Sequence, residues 1–213
     1  PPAATKMELV ELFREVDIMR EMCVHPNIVA YHNSWRENGR LYILMELCSK
    51  SLENVIQGVA EKKLRFASNK IVFYVQELAG ALRYCHNDLR VMHRDLKPAN
   101  IIIGKFGEVY VLDWGLAKIK GTQSLSSSVL SEDPLPKDLK LTPTGRHYGT
   151  PMYMSPEIAT GDPNLDERSD VFALGVILFE MLTLNFFVDG EDIIEIKQQI
   201  LDKPYRLPRE VAP

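Results

Sequence analysis

Apolar residues change their spacing in a regular order along this chain, and that order predicts the elements. Leu9, Leu12, Phe13, Val16 and Met19 recur at helical intervals, predicting an amphipathic helix over residues 5–23 that His25-Pro26-Asn27 stops. Two β-rich runs, 28–35 and 41–47, lie either side of the polar turn Glu37-Asn38-Gly39-Arg40 and predict a hairpin. A short helix follows around 51–58. Ser68 then has the chemistry of an N-cap for a longer helix, with Ile71, Val75, Leu78, Leu82 and Cys85 on one face. Apolar runs at 100–103 and 109–112, separated by Gly104-Lys105-Phe106-Gly107-Glu108, predict a second, smaller hairpin. Residues 121–140 are rich in Ser and Pro and predict a mobile loop. The remainder reads as helix: 170–182, with Ala173, Leu174, Ile177, Leu178 and Met181 on an apolar face, and 192–201.

Composition narrows the class. At 213 residues, 46% hydrophobic and 25% charged, the chain has the balance of one globular domain with a sizeable core. Its net charge of −4 supplies no basic field for nucleic acid or an anionic membrane. The longest apolar run, 171–179, falls far short of the roughly twenty residues that span a bilayer, so no membrane contact is expected within this chain. No signal-peptide pattern is visible. Cys23, Cys48 and Cys85 are odd in number and dispersed, which argues against a disulfide framework and suits a reducing cytoplasm. No His-x-x-x-His or Cys-x-x-Cys pair supports a metal hydrolase.

The strongest chemical signal is His93-Arg94-Asp95-Leu96-Lys97-Pro98-Ala99-Asn100. It resembles the catalytic loop of protein kinases, H-R-D-L-x-x-x-N. A solvated polar loop is a poor account of so many specified positions in one run. The resemblance implies Asp95 as the base beside the attacking hydroxyl, Lys97 as its catalytic neighbour, and Asn100 as an oxygen ligand for Mg²⁺. Asp113-Trp114-Gly115 is similar to the family's D-F-G, with Trp in place of Phe, and implies Asp113 as a second Mg²⁺ ligand beside ATP. Alone it would read as a turn. The run 149–157 resembles the end of an activation segment. It implies Thr150 near the catalytic Asp and Lys, and Glu157 as a structural brace for the large lobe. Residues 169–175 resemble the start of the buried helix that anchors the catalytic loop, with Asp170 structural and accepting backbone N–H groups near His93. Its plainer role, a carboxylate favoured at a helix N-terminus, is the same physics.

Upstream, residues 13–29 resemble the kinase regulatory helix and the strand after it. Glu15 then stands where a Glu pairs with the phosphate-holding Lys, and Met19, Tyr31, His93 and Trp114 match stacked core residues. The run 41–48 resembles the strand entering the hinge, which implies Met45 as gatekeeper, the Glu46 and Cys48 backbones facing adenine, and Ile102 beneath the base. Lys97 suits the Ser/Thr branch, and 104–118 and 166–175 are similar to bacterial Ser/Thr kinases. Arg94 implies switching by a phosphate on the activation segment, for which Thr142 and Thr144 are the expected sites, with a dimer for autophosphorylation.

The resemblance therefore implies an α+β, bilobal kinase fold. An incomplete small lobe and hinge start would occupy 1–47, a mainly helical large lobe 48–213, and the activation segment 113–157. The expected activity is transfer of the ATP γ-phosphate to Ser or Thr hydroxyls of protein substrates, with Mg²⁺, and without nucleic acid as a partner. No G-x-G-x-x-G and no V-A-x-K precede Glu15, and the family's last helices are absent after Pro213. The chain is accordingly expected to be the middle of a kinase domain, cut at Pro1 and inactive alone. A pseudokinase or interaction module stays open as the alternative. A small-molecule phosphotransferase fits the 149–157 segment less well.

Overall fold

The computed structural model describes residues 16, 19–22, 24–38, 40–113, 118–119, 150–190, 192–202 and 205–211. Glu15, Trp114, Thr142, Thr144 and the segment 121–140 lie outside these residues. Val16, Met19 and Met22 are helical and buried, so they form an inward stripe.

Strands β1 (Tyr31–Glu37) and β2 (Arg40–Met45) pair antiparallel across a turn in which Asn38 takes a φ of 50°, a left-handed conformation that Asn tolerates. β1 begins later than its apolar pattern predicts because residues 27–29 pair elsewhere. Ile28 bridges in parallel to Val111, the Val29 N–H donates to the Val111 carbonyl at 3.1 Å, and the Val111 N–H donates to Asn27 at 2.8 Å. These bonds tie the segment leading into the hairpin to the strands beneath it.

β3 (Lys50–Ser51) leads directly into α1 (Leu52–Glu61). Ser51 accepts the Asn54 N–H through its hydroxyl, and the Asn54 side chain accepts the Ser51 N–H in return, a reciprocal cap. α2 (Ser68–Arg83) follows. Ser68 is its first helical residue and not its cap. The cap is Ala67, with no side-chain bond, and its carbonyl receives the Lys70 and Ile71 N–H groups. Phe66 packs against the core just before it, so burial sets the entry point rather than a hydroxyl. α2 widens into a π-type turn, Tyr84–Asp88.

β4 (Val91–Met92) pairs antiparallel with β7 (Lys118–Ile119). Between them, β5 (Ile101–Ile103) and β6 (Val109–Val111) form the expected small hairpin, and β3 adds to its edge in the order β3-β5-β6. Asn100 falls in a 3₁₀ turn, Pro98–Asn100, rather than in the strand. A second 3₁₀ turn, Thr150–Tyr153, precedes α3 (Pro156–Thr160), α4 (Arg168–Thr183), α5 (Ile193–Leu201) and α6 (Pro208–Val211). α2 packs against α4 on one side and β6 on the other. Leu78, Ile101, Val111, Ile177 and Met181 lie in one continuous core there, which joins the helices to the strands that carry the site. The architecture is α+β.

Candidate active site

α4 is apolar through most of its length, yet its first turn buries Asp170 at 1% exposure. A carboxylate there needs partners. Oδ2 accepts the His93 N–H at 2.8 Å, Oδ1 accepts the Arg94 N–H at 2.8 Å, and His86 Nε2 lies 2.7 Å from Oδ2. Burial alone would push this carboxyl up. The His86 hydrogen bond, the His93 ring and the two backbone donors outweigh it, so the carboxyl titrates below its usual value. The backbone at His93 and Arg94 thus hangs from the first turn of a core helix.

His93 links that loop to the next motif. The Asp95 N–H donates to His93 Nδ1 at 3.2 Å, so Nδ1 is the acceptor and Nε2 carries the hydrogen donated to the Leu112 carbonyl at 3.1 Å. Burial lowers the pKa of this fully enclosed ring, against the opposing fields of Asp170, the Leu112 carbonyl, Asp95 and Asp113. Three carboxylates from separate motifs therefore act on one neutral imidazole. Leu112 also donates its N–H to the Asn100 carbonyl at 3.0 Å. Asp113 follows with an exposed side chain and a φ of 66°, and Arg94 shares the left-handed region at 68°.

Lys97 Nζ lies 2.7 Å from Asp95 Oδ2, and Asn100 Nδ2 donates to the Asp95 carbonyl at 2.8 Å and to Oδ2 at 3.1 Å. The Asn100 amide nitrogen is thereby committed to Asp95, and Oδ1 is the atom left to hold a cation. An amide oxygen and the exposed Asp113 carboxylate are hard ligands, few in number. They fit Mg²⁺, which binds few protein oxygens and shares its shell with water and phosphate.

Met45 ends β2 and lines a small hollow with Met19, Tyr31, Leu112 and Asp113. The Glu46 N–H is taken by the Ala30 carbonyl at 2.9 Å, and the Cys48 thiol donates to the Glu46 carbonyl at 3.5 Å. Ile102 alternates with Ile101 and Ile103; those two join the main core, whereas Ile102 is buried outside it, on the opposite strand face.

Thr150 opens its 3₁₀ turn. Beyond it, Tyr153 donates to Glu180 at 2.7 Å, and Ser155 donates to Ser169 Oγ at 3.0 Å while capping α3 through the Ile158 N–H. These bonds fasten the segment to α4. Glu157 stands in α3, where its charge raises the pKa of Tyr205, whose largest upward push is burial.

His86 is the residue that pattern reading missed. The π-type turn carries Cys85 and His86 inward, and a 3.6-residue period gives no sign of such a turn. The one available signal was a His at the end of a core helix, a few residues before the catalytic loop. Its neighbour Cys85 is fully buried, and burial with the field of Asp170 pushes the thiol up to about 12, so it stays protonated.

The family described as protein kinase domain matches residues 2–211. The chain belongs to the protein kinase family. Serine/threonine-protein kinase Nek10 of Homo sapiens is 34% identical over 192 residues, covering 90% of this chain and 15% of that protein. Serine/threonine-protein kinase PknD of Chlamydia pneumoniae is 32% identical, with 94% of this chain and 22% of that protein covered. The PknD of Protochlamydia amoebophila is 42% identical over 135 residues, 62% of this chain and 13% of that protein. This kinase chain spans 15%, 18% and 16% of three of its curated relatives, less than a fifth of each. Among its described residues no helix is long and apolar enough to cross a membrane.

Proposed function

We propose that this protein transfers the γ-phosphoryl group of ATP to Ser or Thr hydroxyls of protein substrates. The observation that carries the reading is the convergence of Lys97 Nζ and Asn100 Nδ2 on one oxygen of Asp95, at 2.7 and 3.1 Å. ATP bound with Mg²⁺ supplies the phosphoryl group and neutralises its charge. Asp95 receives the proton of the attacking hydroxyl. Lys97 and Asn100 hold that carboxylate in one orientation, so little reorganisation is left for the transfer itself. Asn100 Oδ1 and Asp113 would hold the metal, and neutral His93 keeps the two motifs in register. Met45, Glu46, Cys48 and Ile102 would enclose the adenine, with Glu15 pairing the phosphate-holding Lys of the family.

Asp95→Asn removes the base while retaining its shape. In the full-length protein, labelled-phosphate transfer to a Ser/Thr substrate should fall by roughly 10²–10⁴ with thermal stability kept. Transfer at the parent rate would rule the assignment out. The same reading places activating phosphates on Thr142 or Thr144, paired with Arg94 and installed by a second copy, in the reducing cytoplasm. Phosphopeptide mapping that found only the serines of 124–131 modified would count against it.

A further inference from the structure

The two sides of the site are buried in different places. Leu96 of the catalytic loop belongs to the main core, whereas Met152 and Met154, just before α3, pack in a second cluster with Val188 and with Ile196 and Ile200 of α5. Burial holds each side within its own cluster. Apolar contact is non-directional, however, and does not set how one cluster stands over the other. A hollow of about 20 Å³ lies where they meet, lined by Arg94 and Asp95 of the catalytic loop, Tyr153 and Met154 of the segment, and Ser169 and Asp170 of α4. Packing alone therefore leaves the segment's position beside Asp95 under-determined.

Hydroxyl bonds supply what packing does not. Ser155, fully buried, donates to Ser169 Oγ at 3.0 Å, and Ser169 is itself buried in the first turn of α4. The next residue, Asp170, accepts the His93 and Arg94 N–H groups at 2.8 Å. Consecutive residues of one helical turn thus hold both sides of the site, Ser169 taking the segment and Asp170 the catalytic loop. A hydrogen bond has a preferred length and angle, so this arrangement fixes a spacing that apolar contact cannot. Tyr153 donates to Glu180 at 2.7 Å, about three turns further along α4. One anchor would let the segment pivot; the Ser155–Ser169 bond is the second. Ser155 has another task, since its hydroxyl accepts the Ile158 N–H at 3.3 Å and caps α3. The Ser169 hydroxyl takes no part in that cap, so clasp and cap are separable.

Resting on the phosphoryl-transfer reading above, we propose that Ser155 and Ser169 are positioning residues for the acceptor protein. Their hydroxyl bond sets where residues 152–154 stand relative to Asp95, and so how an acceptor Ser or Thr is presented to that carboxylate. Both act through the segment and not by contact with the reacting atoms.

The test compares the full-length parent with Ser169→Ala, Ser155→Ala and the double variant, using myelin basic protein as acceptor. Ser169→Ala is the diagnostic change, because it removes the clasp and leaves the α3 cap. It should lower kcat/KM for the acceptor about tenfold while the KM for ATP stays within about twofold of the parent. Ser155→Ala should be at least as impaired, and the double variant no worse than Ser155→Ala, because the same bond is lost in each. Hydrogen–deuterium exchange gives a readout without catalysis: residues 150–158 should exchange faster in both single variants and residues 93–100 at the parent rate. Parent-like kinetics in Ser169→Ala beside an impaired Ser155→Ala would assign the effect to the cap and overturn the proposal. Equal rises in the KM for ATP and for acceptor would overturn it too, as general loosening. A parent that transfers no phosphate fails the phosphoryl-transfer reading instead, and the exchange data then decide the clasp separately: parent-like exchange of 150–158 in Ser169→Ala overturns it.

Discussion

Asp170 holds Arg94 in a backbone conformation that arginine seldom adopts. Its carboxylate accepts the Arg94 N–H at 2.8 Å while Arg94 sits at a φ of 68°. A left-handed residue of this kind costs about 1–3 kcal/mol, and a hydrogen bond to a charged group contributes about 1.5–3 kcal/mol, so one bond offsets the strain. The same carboxylate also takes the His93 N–H and the His86 ring. Three groups from the loop and the helix before it converge on one buried side chain.

Asp170→Ala should therefore unfold the protein more easily, by about 3 kcal/mol or more, a fall of roughly 6–12 °C in Tm. His86→Ala should cost less, about 1–2 kcal/mol, because the two backbone donors keep their acceptor. In phosphoryl-transfer assays the His86 variant should lose kcat with little change in KM, since the loop and not the nucleotide contacts is disturbed. Equal stability of the Asp170 variant and the parent in thermal denaturation would contradict this account.

At Asn100 the conservative change should be the worse one. Asn100→Asp offers a better metal ligand but removes the amide donor and sets a second carboxylate about where Nδ2 meets Asp95 Oδ2, at 3.1 Å. Asn100→Ala loses the tether without adding repulsion. Phosphoryl transfer measured across a Mg²⁺ titration should rank Asp below Ala, with both at least about tenfold below the parent. Restoration of the Asp variant by excess Mg²⁺ would show that ligand charge matters more than the tether.

Stability should fall as pH drops below about 6.5. Burial lowers the pKa of His93 in the folded protein, so the unfolded chain binds the proton first and the unfolded state gains. Above the unfolded value neither state is protonated and the contribution is complete. Below it, stability is lost until the folded value is passed, at no more than about 1.4 kcal/mol per pH unit for one group. His25, lowered by burial against the field of Glu77, acts in the same direction. Asp170, whose pKa is also lowered, matters only below about pH 4. Urea unfolding at pH 7.5 and 5.5 should show the loss, and His93→Gln should reduce it; an unchanged slope in that variant would remove His93 as the cause.

Much of this arrangement was legible from residue order. The helices at 68–83 and 168–183 and both hairpins follow from periods of 3.6 and 2, because a chain that buries one face must repeat its apolar residues at the period of its backbone. The boundaries were less legible. Ser68 looked like a cap and is a first-turn residue, since Phe66 and the core behind it set where α2 starts. Asn100 looked like part of a strand and is held in a turn by its N–H, which donates to the Lys97 carbonyl, and by its side-chain amide, which donates to the Asp95 carbonyl.

Residue identity and spacing alone determined the family resemblance, the candidate Asp95, Asn100 and Asp113, and the alternation that buries Ile101 and Ile103 together. Those are local properties, written in neighbours a few positions apart. Tertiary structure decided which nitrogen of His93 carries a hydrogen, that His86 closes on Asp170 through a widened turn, and that Tyr153 reaches Glu180 of α4. Each of these joins residues distant in the chain, and only packing brings such groups within hydrogen-bond or van der Waals reach.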